Sequence, residues 1–462
     1  MTLRCTGTLQ HLLGGLAGLL GLLAVTAAAI AFSLRVTPAQ PVSTLGQQIQ
    51  VGTASPTLSL SGPGVLDLFG QSIPTEARFA GPVRPQLDLT KITINRQVAS
   101  FVTATEGRSG TAILGRRLAG GWTRYFIWQA AFVAIGAALL ALAYVGLRRR
   151  SWRRSLVTVL LVVVVAEAID LGFVMETAYS APRVLSKVRS LSELVGQSPQ
   201  PLIAPASGPP IRGVQAVVLG DSTASGLGNP LVARPSAVDR ACFRSSDAYA
   251  VDLASVNGWK VKNLACSGAT IPAGILGPQA AGSRVVPPQL AVARRASGVK
   301  AIFVSVGADD VGWDTIVRLC AVSPSCDNSA STAYFQRMLY RFTKDYYQLL
   351  GQLAAFPGHP EVIVNQYYDP FDPSLTCLDR VGLTAAKQRV LVQRLDALNT
   401  VIAKGAQATG FETVQPDFSG HGLCTSVPYV QSLEDAAPFH PTPAGELAIA
   451  LSDEEAFLAG RS

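Results

Sequence analysis

Ser222 and His440 have the surroundings that a nucleophile and its general base require. Ser222 follows the run 217–220 and Asp221, and an apolar run of this kind predicts a buried strand. Catalytic residues of open α/β sheets lie just beyond the carboxyl ends of such strands. His440 stands near the C-terminus in Phe-His-Pro-Thr-Pro-Ala-Gly. A serine hydroxyl becomes a nucleophile when a base removes its proton, so the two residues predict acyl transfer through Ser222.

The tripeptide Gly-Asp-Ser at 220–222 is by itself also typical of an ordinary strand-to-helix turn, so the prediction depends on residues further along the chain. The other three histidines have less suitable settings: His11 directly precedes an apolar N-terminal run, His359 lies in a Pro-Gly-His-Pro turn and His421 lies close to a cysteine. Two further apolar runs are followed by Gly268 and Gly307. His440 is therefore the candidate base.

Taken in order, the Gly-Asp-Ser turn, Gly268, Gly307 and the His-Pro block at 439–445 resemble the sequence blocks of the SGNH (GDSL-type) hydrolases, a family of esterases and lipases. The resemblance covers residues 214–462. It implies a three-layer α/β/α sandwich and an acyl intermediate on Ser222. It also implies an oxyanion hole in which the backbone N–H groups of Ser222 and Gly268 are two of the donors.

Two positions depart from the family pattern. The family has an asparagine donor in Gly-x-Asn-Asp, whereas this chain reads Gly-Ala-Asp-Asp, so Asp309 stands where an amide is expected. The family also places an aspartate three residues before the histidine, and here that residue is Ala437. We expect a displaced carboxylate, Asp435 or Glu434, or a backbone carbonyl near Ala437 to orient the ring of His440.

Strand-like and helix-like segments alternate through this half of the chain, which predicts a parallel sheet covered by helices on both faces. The strand candidates are 214–219, 261–264, 301–306, 361–365 and 412–414, and the helix candidates are 288–296, 332–356, 384–409 and 443–458.

Three apolar runs explain why the chain is 48% hydrophobic and only 15% charged. The runs are 12–34, 125–147 and 156–175, and each has about the length that crosses a bilayer. The loop 148–154 between the second and third runs carries five arginines, which predicts that it is cytoplasmic. Because these arginines account for much of the net charge of +8, the charge does not indicate a nucleic-acid partner.

This orientation divides the chain into five parts. Residues 1–34 form a transmembrane anchor, for which a cleaved signal peptide is the alternative, and residues 35–120 form a small β-rich extracytoplasmic segment. Residues 121–176 are a transmembrane hairpin, 177–210 a linker and 211–462 the hydrolase-like domain outside the membrane.

Six of the seven cysteines lie in this outer domain, which predicts disulfides in an oxidising compartment. Six cysteines allow fifteen pairings. Resemblance to secreted three-disulfide lipases of the family implies sequential pairing: Cys242 with Cys266, Cys320 with Cys326, and Cys377 with Cys424.

The sequence thus predicts a membrane-anchored, outward-facing serine esterase or lipase that acts on an ester or lipid substrate. One alternative is an acyltransferase that passes the acyl group to an envelope carbohydrate or lipid. Another is a binding or scaffold domain in which Asp309 has silenced catalysis. No cofactor or metal is implied, because no cluster of Cys and His has ligand spacing outside the expected disulfides.

Overall fold

A computed structural model describes residues 5–44, 46–57, 59–93, 111–147, 152–198, 200–371 and 376–460. These residues divide into two compact units. The first unit holds most of the chain before residue 199, and the second is built on the chain after it.

The first unit combines long helices with a small sheet. Its helices are α1 (Cys5–Val36), α2 (Thr111–Leu147), α3 (Trp152–Leu185) and the single turn α4 (Leu191–Leu194). Five strands lie between α1 and α2 and form a sheet in the order β1-β2-β5-β3-β4. They are β1 (Gln40–Thr44), β2 (Gln47–Thr53), β3 (Ser61–Leu68), β4 (Gln71–Ala80) and β5 (Pro85–Ile92). Buried and half-buried residues alternate along β3, as in a sheet with one face on a core.

Two helices among the described residues are long and apolar enough to cross a membrane, Ile113–Gly146 and Ser155–Gly172. In α1 the described apolar stretch is shorter, Leu20–Val36. The three apolar runs predict three spans, and the first of them is not confirmed. The basic loop between the second and third runs lies partly outside the described residues, at 148–151.

The helix α2 extends past the length of a bilayer and its first turns carry the sheet. The apolar stretch of 34 residues is about 51 Å long, against about 30 Å of hydrocarbon. Near its start, Gly121 lies under Val42 and Val51, where an added Cβ would come within 2.5 Å of Val42. The hydroxyl groups of Tyr125 and Thr53 are 2.8 Å apart. The sheet is therefore attached to the end of α2 that lies away from the basic loop.

A polar pair joins the two helices of the hairpin. Gln129 on α2 donates from Nε2 to Oδ1 of Asp170 on α3 over 2.9 Å, and both residues are at most 2% exposed. A hydrogen bond between apolar helices stabilises their association. Asp170 thus faces the neighbouring helix.

The second unit is an α/β fold around a five-stranded sheet in the order β12-β11-β10-β6-β7. All four neighbouring pairs are parallel. The strands are β6 (Ala216–Gly220), β7 (Val261–Asn263), β10 (Ala301–Ser305), β11 (Glu361–Asn365) and β12 (Glu412–Val414). All five strand predictions are confirmed, and every residue of β6 and β10 is buried. A small antiparallel hairpin, β8 (Gln279–Ala281) and β9 (Arg284–Val286), lies outside this sheet.

Helices cover the sheet and connect its strands. The four predicted helices are α8 (Gln289–Ala293), α11 (Ser329–Ala354), α12 (Ala385–Thr409) and α13 (Pro443–Ala459). Helices that were not predicted are α5 (Ser222–Ser225), α6 (Ala237–Ala241), α7 (Tyr249–Asn257), α9 (Ala308–Val311) and α10 (Trp313–Val322). Most of these are single turns, too short to show a helical period in the sequence.

Three disulfides join the loops of this unit, and the predicted pairing is confirmed. They are Cys242–Cys266, Cys320–Cys326 and Cys377–Cys424. The segment expected as a free linker is more ordered than predicted at both ends. It begins as the last turns of α3, and at its far end Gln352 holds the carbonyl of Pro201 through a 2.9 Å hydrogen bond.

Candidate active site

Ser222 is placed by the end of the strand β6. Gly220 is the last strand residue, and a Cβ there would come within 2.5 Å of the Ser305 carbonyl and 2.6 Å of Ala224, so the tight turn requires glycine. Asp221 then caps the single turn α5, because its Oδ1 accepts from the N–H of Thr223 over 3.0 Å. Ser222 is the first residue of that turn and stands just beyond the carboxyl end of the parallel sheet.

His440 reaches Ser222 from a loop near the C-terminus of the chain. Its Nε2 lies 2.8 Å from Oγ of Ser222, although 218 residues separate the two. The preceding residue, Phe439, has a left-handed backbone with φ of 70°, a conformation that costs a non-glycine residue about 1 kcal/mol or more. Two hydrogen bonds hold Phe439 there: its N–H donates to the Gln431 carbonyl and its carbonyl accepts from Oη of Tyr368.

The other ring nitrogen of His440 has a backbone partner. Nδ1 lies 3.1 Å from the carbonyl oxygen of Pro438, which can only accept, so the proton is on Nδ1 and Nε2 is free to take a proton from Ser222. Asp435, the candidate residue for orienting the ring, does not contact Nδ1 of His440. Its carboxylate accepts from the N–H of Ser432 over 2.6 Å in a local turn. Glu434 is exposed and pairs with Arg380. Of the groups that the sequence allowed as the partner of the His440 ring, the structure has a backbone carbonyl in contact with Nδ1.

Burial holds the pKa of His440 below its ordinary value, although the carbonyls of Pro438 and Ala437 and the charge of Asp314 act in the opposite direction. A lowered pKa keeps the imidazole neutral at neutral pH, which is the form that accepts a proton.

Gly268 and Asp309 face each other on loops near the nucleophile turn, where the charge of Asp309 acts on Asp221. The backbone N–H of Gly268 is directed at the Asp309 carboxylate. Gly268 has φ of 78°, a left-handed conformation that favours glycine. Among the described residues Oδ2 of Asp309 has no hydrogen-bond partner. Burial raises the pKa of Asp309 to about 6, with a further contribution from the charge of Asp314, while the Gly268 hydrogen bond lowers it.

Buried carboxyl groups next to the site accept hydrogen bonds from the loops that surround it. Oη of Tyr367 donates to Asp221 and accepts from the N–H of Ala308, so one phenol links the nucleophile turn to the loop of Asp309. Asp310 accepts from the N–H of Ile271 over 2.9 Å, and burial raises its pKa to about 8. In the part of the chain that the structure describes, no three acids, histidines or cysteines form a metal centre.

The residues that sequence reasoning missed leave little trace in the sequence. The Pro438 carbonyl belongs to the backbone, and Tyr367 and Asp314 are isolated polar residues whose proximity depends on the folded loops.

A cavity of about 570 Å³ lies at the end of the strands opposite to Ser222 and is lined by Lys300, His359, Glu361 and Glu412 among others. Ser222 and His440 are not part of its lining.

A serine and a histidine in hydrogen-bond contact beyond the strand ends of a parallel sheet are the arrangement of an α/β serine hydrolase. Comparison with known proteins agrees. The family model for GDSL-like Lipase/Acylhydrolase matches residues 218–448, half of the chain. Lipase 1 of Streptomyces coelicolor is 29% identical over 243 residues, which cover 50% of this chain and 81% of that protein. A lipase of Streptomyces rimosus is 28% identical over 252 residues, covering 53% and 86%.

Solved structures show the same extent of similarity. The extracellular lipase from Streptomyces rimosus matches 53% of this chain and 99% of its own, with 22% identity and a TM-score of 0.38. Phospholipase A1 from Streptomyces albidoflavus matches 52% and 98%, with 21% identity and a TM-score of 0.41. By the family model, the chain belongs to the GDSL-like lipase/acylhydrolase family. Its second unit is a carboxylic ester hydrolase domain.

Proposed function

We propose that this protein is a membrane-anchored serine esterase or lipase whose hydrolase domain faces away from the cytoplasm. The observation that carries the catalytic part is the 2.8 Å contact between Oγ of Ser222 and Nε2 of His440. Ser222 attacks the ester carbonyl while His440 takes the hydroxyl proton. His440 then gives that proton to the leaving alcohol, and water releases the acyl group from Ser222 by the same route in reverse.

The backbone N–H groups of Ser222 and Gly268 are the donors for the oxygen that becomes negative. Donors aimed at that oxygen typically contribute about 10²–10³ each to the rate. The Gly268 N–H is directed at the Asp309 carboxylate, so this carboxylate must move or be protonated when the oxyanion forms. The protonation state and position of Asp309 therefore decide whether the Gly268 N–H can donate to the oxyanion.

Three membrane spans, 12–34, 125–147 and 156–175, are the proposed anchor. Large apolar side chains of the hairpin helices are exposed, as expected of a surface that contacts lipid; they include Ile127, Ile135, Leu139, Leu156, Leu160 and Val164. Small residues bring α1 into the bundle, where Ala29 packs with Val133, Ala137 and Ala166. The five-stranded sheet sits on α2 at the end opposite the arginine-rich loop, which supports the extracytoplasmic placement of 35–120.

The substrate that we propose is a carboxylic ester with a lipid acyl part. The named relatives are lipases and a phospholipase, and a membrane anchor would hold the domain close to lipid esters. The five parts assigned from the sequence remain our proposal for the domain organisation, with the correction that the segment before the hydrolase domain is partly ordered.

The test uses the full-length chain in detergent. A fluorophosphonate probe is expected to label the wild-type protein and not Ser222→Ala, and the wild type is expected to hydrolyse a p-nitrophenyl ester. Absence of both labelling and turnover would leave a binding domain. Labelling with turnover only when an acceptor alcohol is present would indicate acyl transfer.

Orientation is tested separately by adding protease to intact cells from which the wall has been removed. Loss of the hydrolase domain with survival of the hairpin is expected. Protection of the domain until the membrane is permeabilised would reject the outward orientation.

A further inference from the structure

The loop that carries Gly268 is held by side chains that bind its backbone carbonyls. Arg244 is 7% exposed and donates from Nε to the Ala265 carbonyl over 2.8 Å and from Nη2 to the Leu264 carbonyl over 2.9 Å. Further along the loop, Gln279 donates from Nε2 to the carbonyl of Ser267 over 2.8 Å. Buried carbonyls need a donor, and here two side chains supply it for three carbonyls of the loop.

The hydrogen bond from Gln279 acts on the peptide that contains the oxyanion donor. The carbonyl of Ser267 and the N–H of Gly268 belong to one planar peptide group, and this bond is trans. In a trans peptide the C=O and the N–H point in opposite directions. A donor that fixes the Ser267 carbonyl on one side therefore fixes the direction of the Gly268 N–H on the other, toward the Asp309 carboxylate.

Gln279 is itself rigidly supported. It is 6% exposed and begins the hairpin β8–β9, whose Ala281 and Val286 pack against the Cys242–Cys266 disulfide. Gly274 lies against its amide, since a Cβ at that position would come within 2.9 Å of Oε1. Because the Ser267 carbonyl can only accept, the amide must present its nitrogen there. Oε1 has no partner among the described residues, so the donated bond is the polar contact that this side chain makes.

We propose that Gln279 is a positioning residue for catalysis, whose hydrogen bond to the Ser267 carbonyl aims the Gly268 N–H at the oxyanion. The proposal rests on the proposed function, in which Gly268 stabilises that oxygen. Gln279 does not touch the substrate. It acts through a backbone group that has φ of 78° and, as glycine, has the widest conformational freedom of any residue.

Gln388 provides a matched control. It is fully buried on α12, donates from Nε2 to the Leu383 carbonyl over 2.8 Å and also has a buried Oε1 without a partner among the described residues. At a pH where the introduced carboxyl group is ionised, a Gln→Glu change at either position removes the same hydrogen bond from the same kind of environment. Only the change at Gln279 acts on the peptide of Gly268.

Kinetics of full-length Gln279→Glu, Gln279→Met and Gln388→Glu on one soluble ester test the proposal. Both Gln279 variants are expected to lower kcat roughly 10- to 100-fold with KM changed less than about 3-fold, because a misplaced donor affects the transition state more than the bound substrate. Gln388→Glu should keep kcat within about 2-fold. Equal effects at the two positions would show a structural role only and overturn the proposal.

The pH dependence separates the two Gln279 variants. When protonated, the carboxyl group introduced by Gln279→Glu can donate to the Ser267 carbonyl, so its kcat relative to wild type should recover as pH falls. The thioether of Gln279→Met cannot donate, and its ratio should stay flat. Asp309 and His440 titrate in all three proteins, so the ratios cancel their contribution. Flat ratios for both variants would contradict the proposal.

A crystal structure of full-length Gln279→Met tests the geometry without relying on activity. The peptide between Ser267 and Gly268 should be rotated or present in two orientations. An unchanged peptide would overturn the positioning role, whatever the kinetics show. A wild type that neither labels nor turns over an ester would instead reject the proposed function, and the structure would still decide the role of Gln279.

Discussion

The carbonyl oxygen of Pro438 lies 3.1 Å from Nδ1 of His440, two residues further along the chain. The ring is thus oriented by a group that carries no charge and does not ionise. A carboxylate in that position would stabilise the imidazolium that forms during proton transfer, whereas a carbonyl supplies orientation with a weaker electrostatic effect.

Asp435→Asn is expected to leave kcat/KM within about 2-fold of wild type, because the carboxylate caps a turn at Ser432 and does not contact His440. Steady-state kinetics on a soluble ester measure this. A loss of ten-fold or more would mean that Asp435 moves to the histidine when substrate binds.

Ser222→Ala and His440→Ala should each lower kcat by roughly 10⁴-fold or more, and the double variant should lose little beyond either single one. The two side chains act as one unit through their 2.8 Å hydrogen bond. The measurement is kcat for the four proteins. Substantial activity in either single variant would refute the assignment of the pair.

Asp309→Asn is expected to raise kcat at pH 7.5 by about ten-fold or more. An ionised carboxylate about 4 Å from the developing oxyanion costs about 4 kcal/mol at an effective dielectric near 20, and an amide there is a donor. Because the pKa of Asp309 is about 6, wild-type activity should rise as pH falls toward 6 and then decline as His440 is protonated. The acid rise should be absent in the Asn variant.

The measurement is a pH–rate profile of both proteins on one ester. An Asn variant that is no faster at any pH, while Ser222 still labels, would give Asp309 another task, such as binding an acceptor alcohol. Acyl transfer would then be the better description of the reaction.

The disulfides should differ in what their removal costs. A disulfide typically contributes about 2–4 kcal/mol, more for a longer loop. Cys377 and Cys424 are 47 positions apart, whereas Cys320 and Cys326 are 6 apart, so replacing the first pair with serine should lower Tm more. Thermal unfolding of the paired variants tests this ranking. Mass spectrometry of unreduced peptides tests the pairing, and six alkylatable thiols in the folded protein would contradict it.

The hydrolase domain is expected to be more stable at pH 5 than at pH 8. Burial raises the pKa of Asp310 to about 8 and holds the pKa values of Asp221, Glu446 and Asp453 well above their usual range. In the unfolded chain these groups ionise near pH 4. Above that pH the unfolded state binds fewer protons than the folded state, so stability falls as pH rises.

Thermal unfolding between pH 5 and 8 measures this, with Asp453→Asn as the comparison. That change supplies a neutral side chain of the same shape opposite Asn365, so part of the pH dependence should disappear. A Tm that rises toward pH 8 would contradict the prediction.

The sequence predicted the strands and the pair Ser222 and His440, but not the residues that hold the loops around this pair. The strands β6, β10 and β11 are continuous apolar runs, which have few alternatives to a buried parallel sheet. Ser222 and His440 could be paired because each lies in a short block with a family likeness. Asp435 was a plausible partner by distance along the chain, yet a turn at Ser432 directs it elsewhere.

The residues that hold these loops could not be predicted, because their side chains are common types whose hydrogen-bond partners are set only by the folded chain. Gln279 is one amide in a loop, and its importance depends on a hairpin of three-residue strands and on one peptide plane. Tyr367 acts at a distance of 146 positions from Asp221. Such contacts have no periodicity and no fixed spacing in the sequence.

The Cys242–Cys266 disulfide closes two residues before Gly268, on the loop that holds the oxyanion donor. Thiols stay reduced in the cytoplasm and pair after export. In the outward orientation proposed above, a newly made chain would leave the ribosome without this disulfide, and the loop would gain its covalent link only after export. In that orientation, the covalent link that stabilises the domain would also tie the onset of its activity to its arrival outside the cytoplasm.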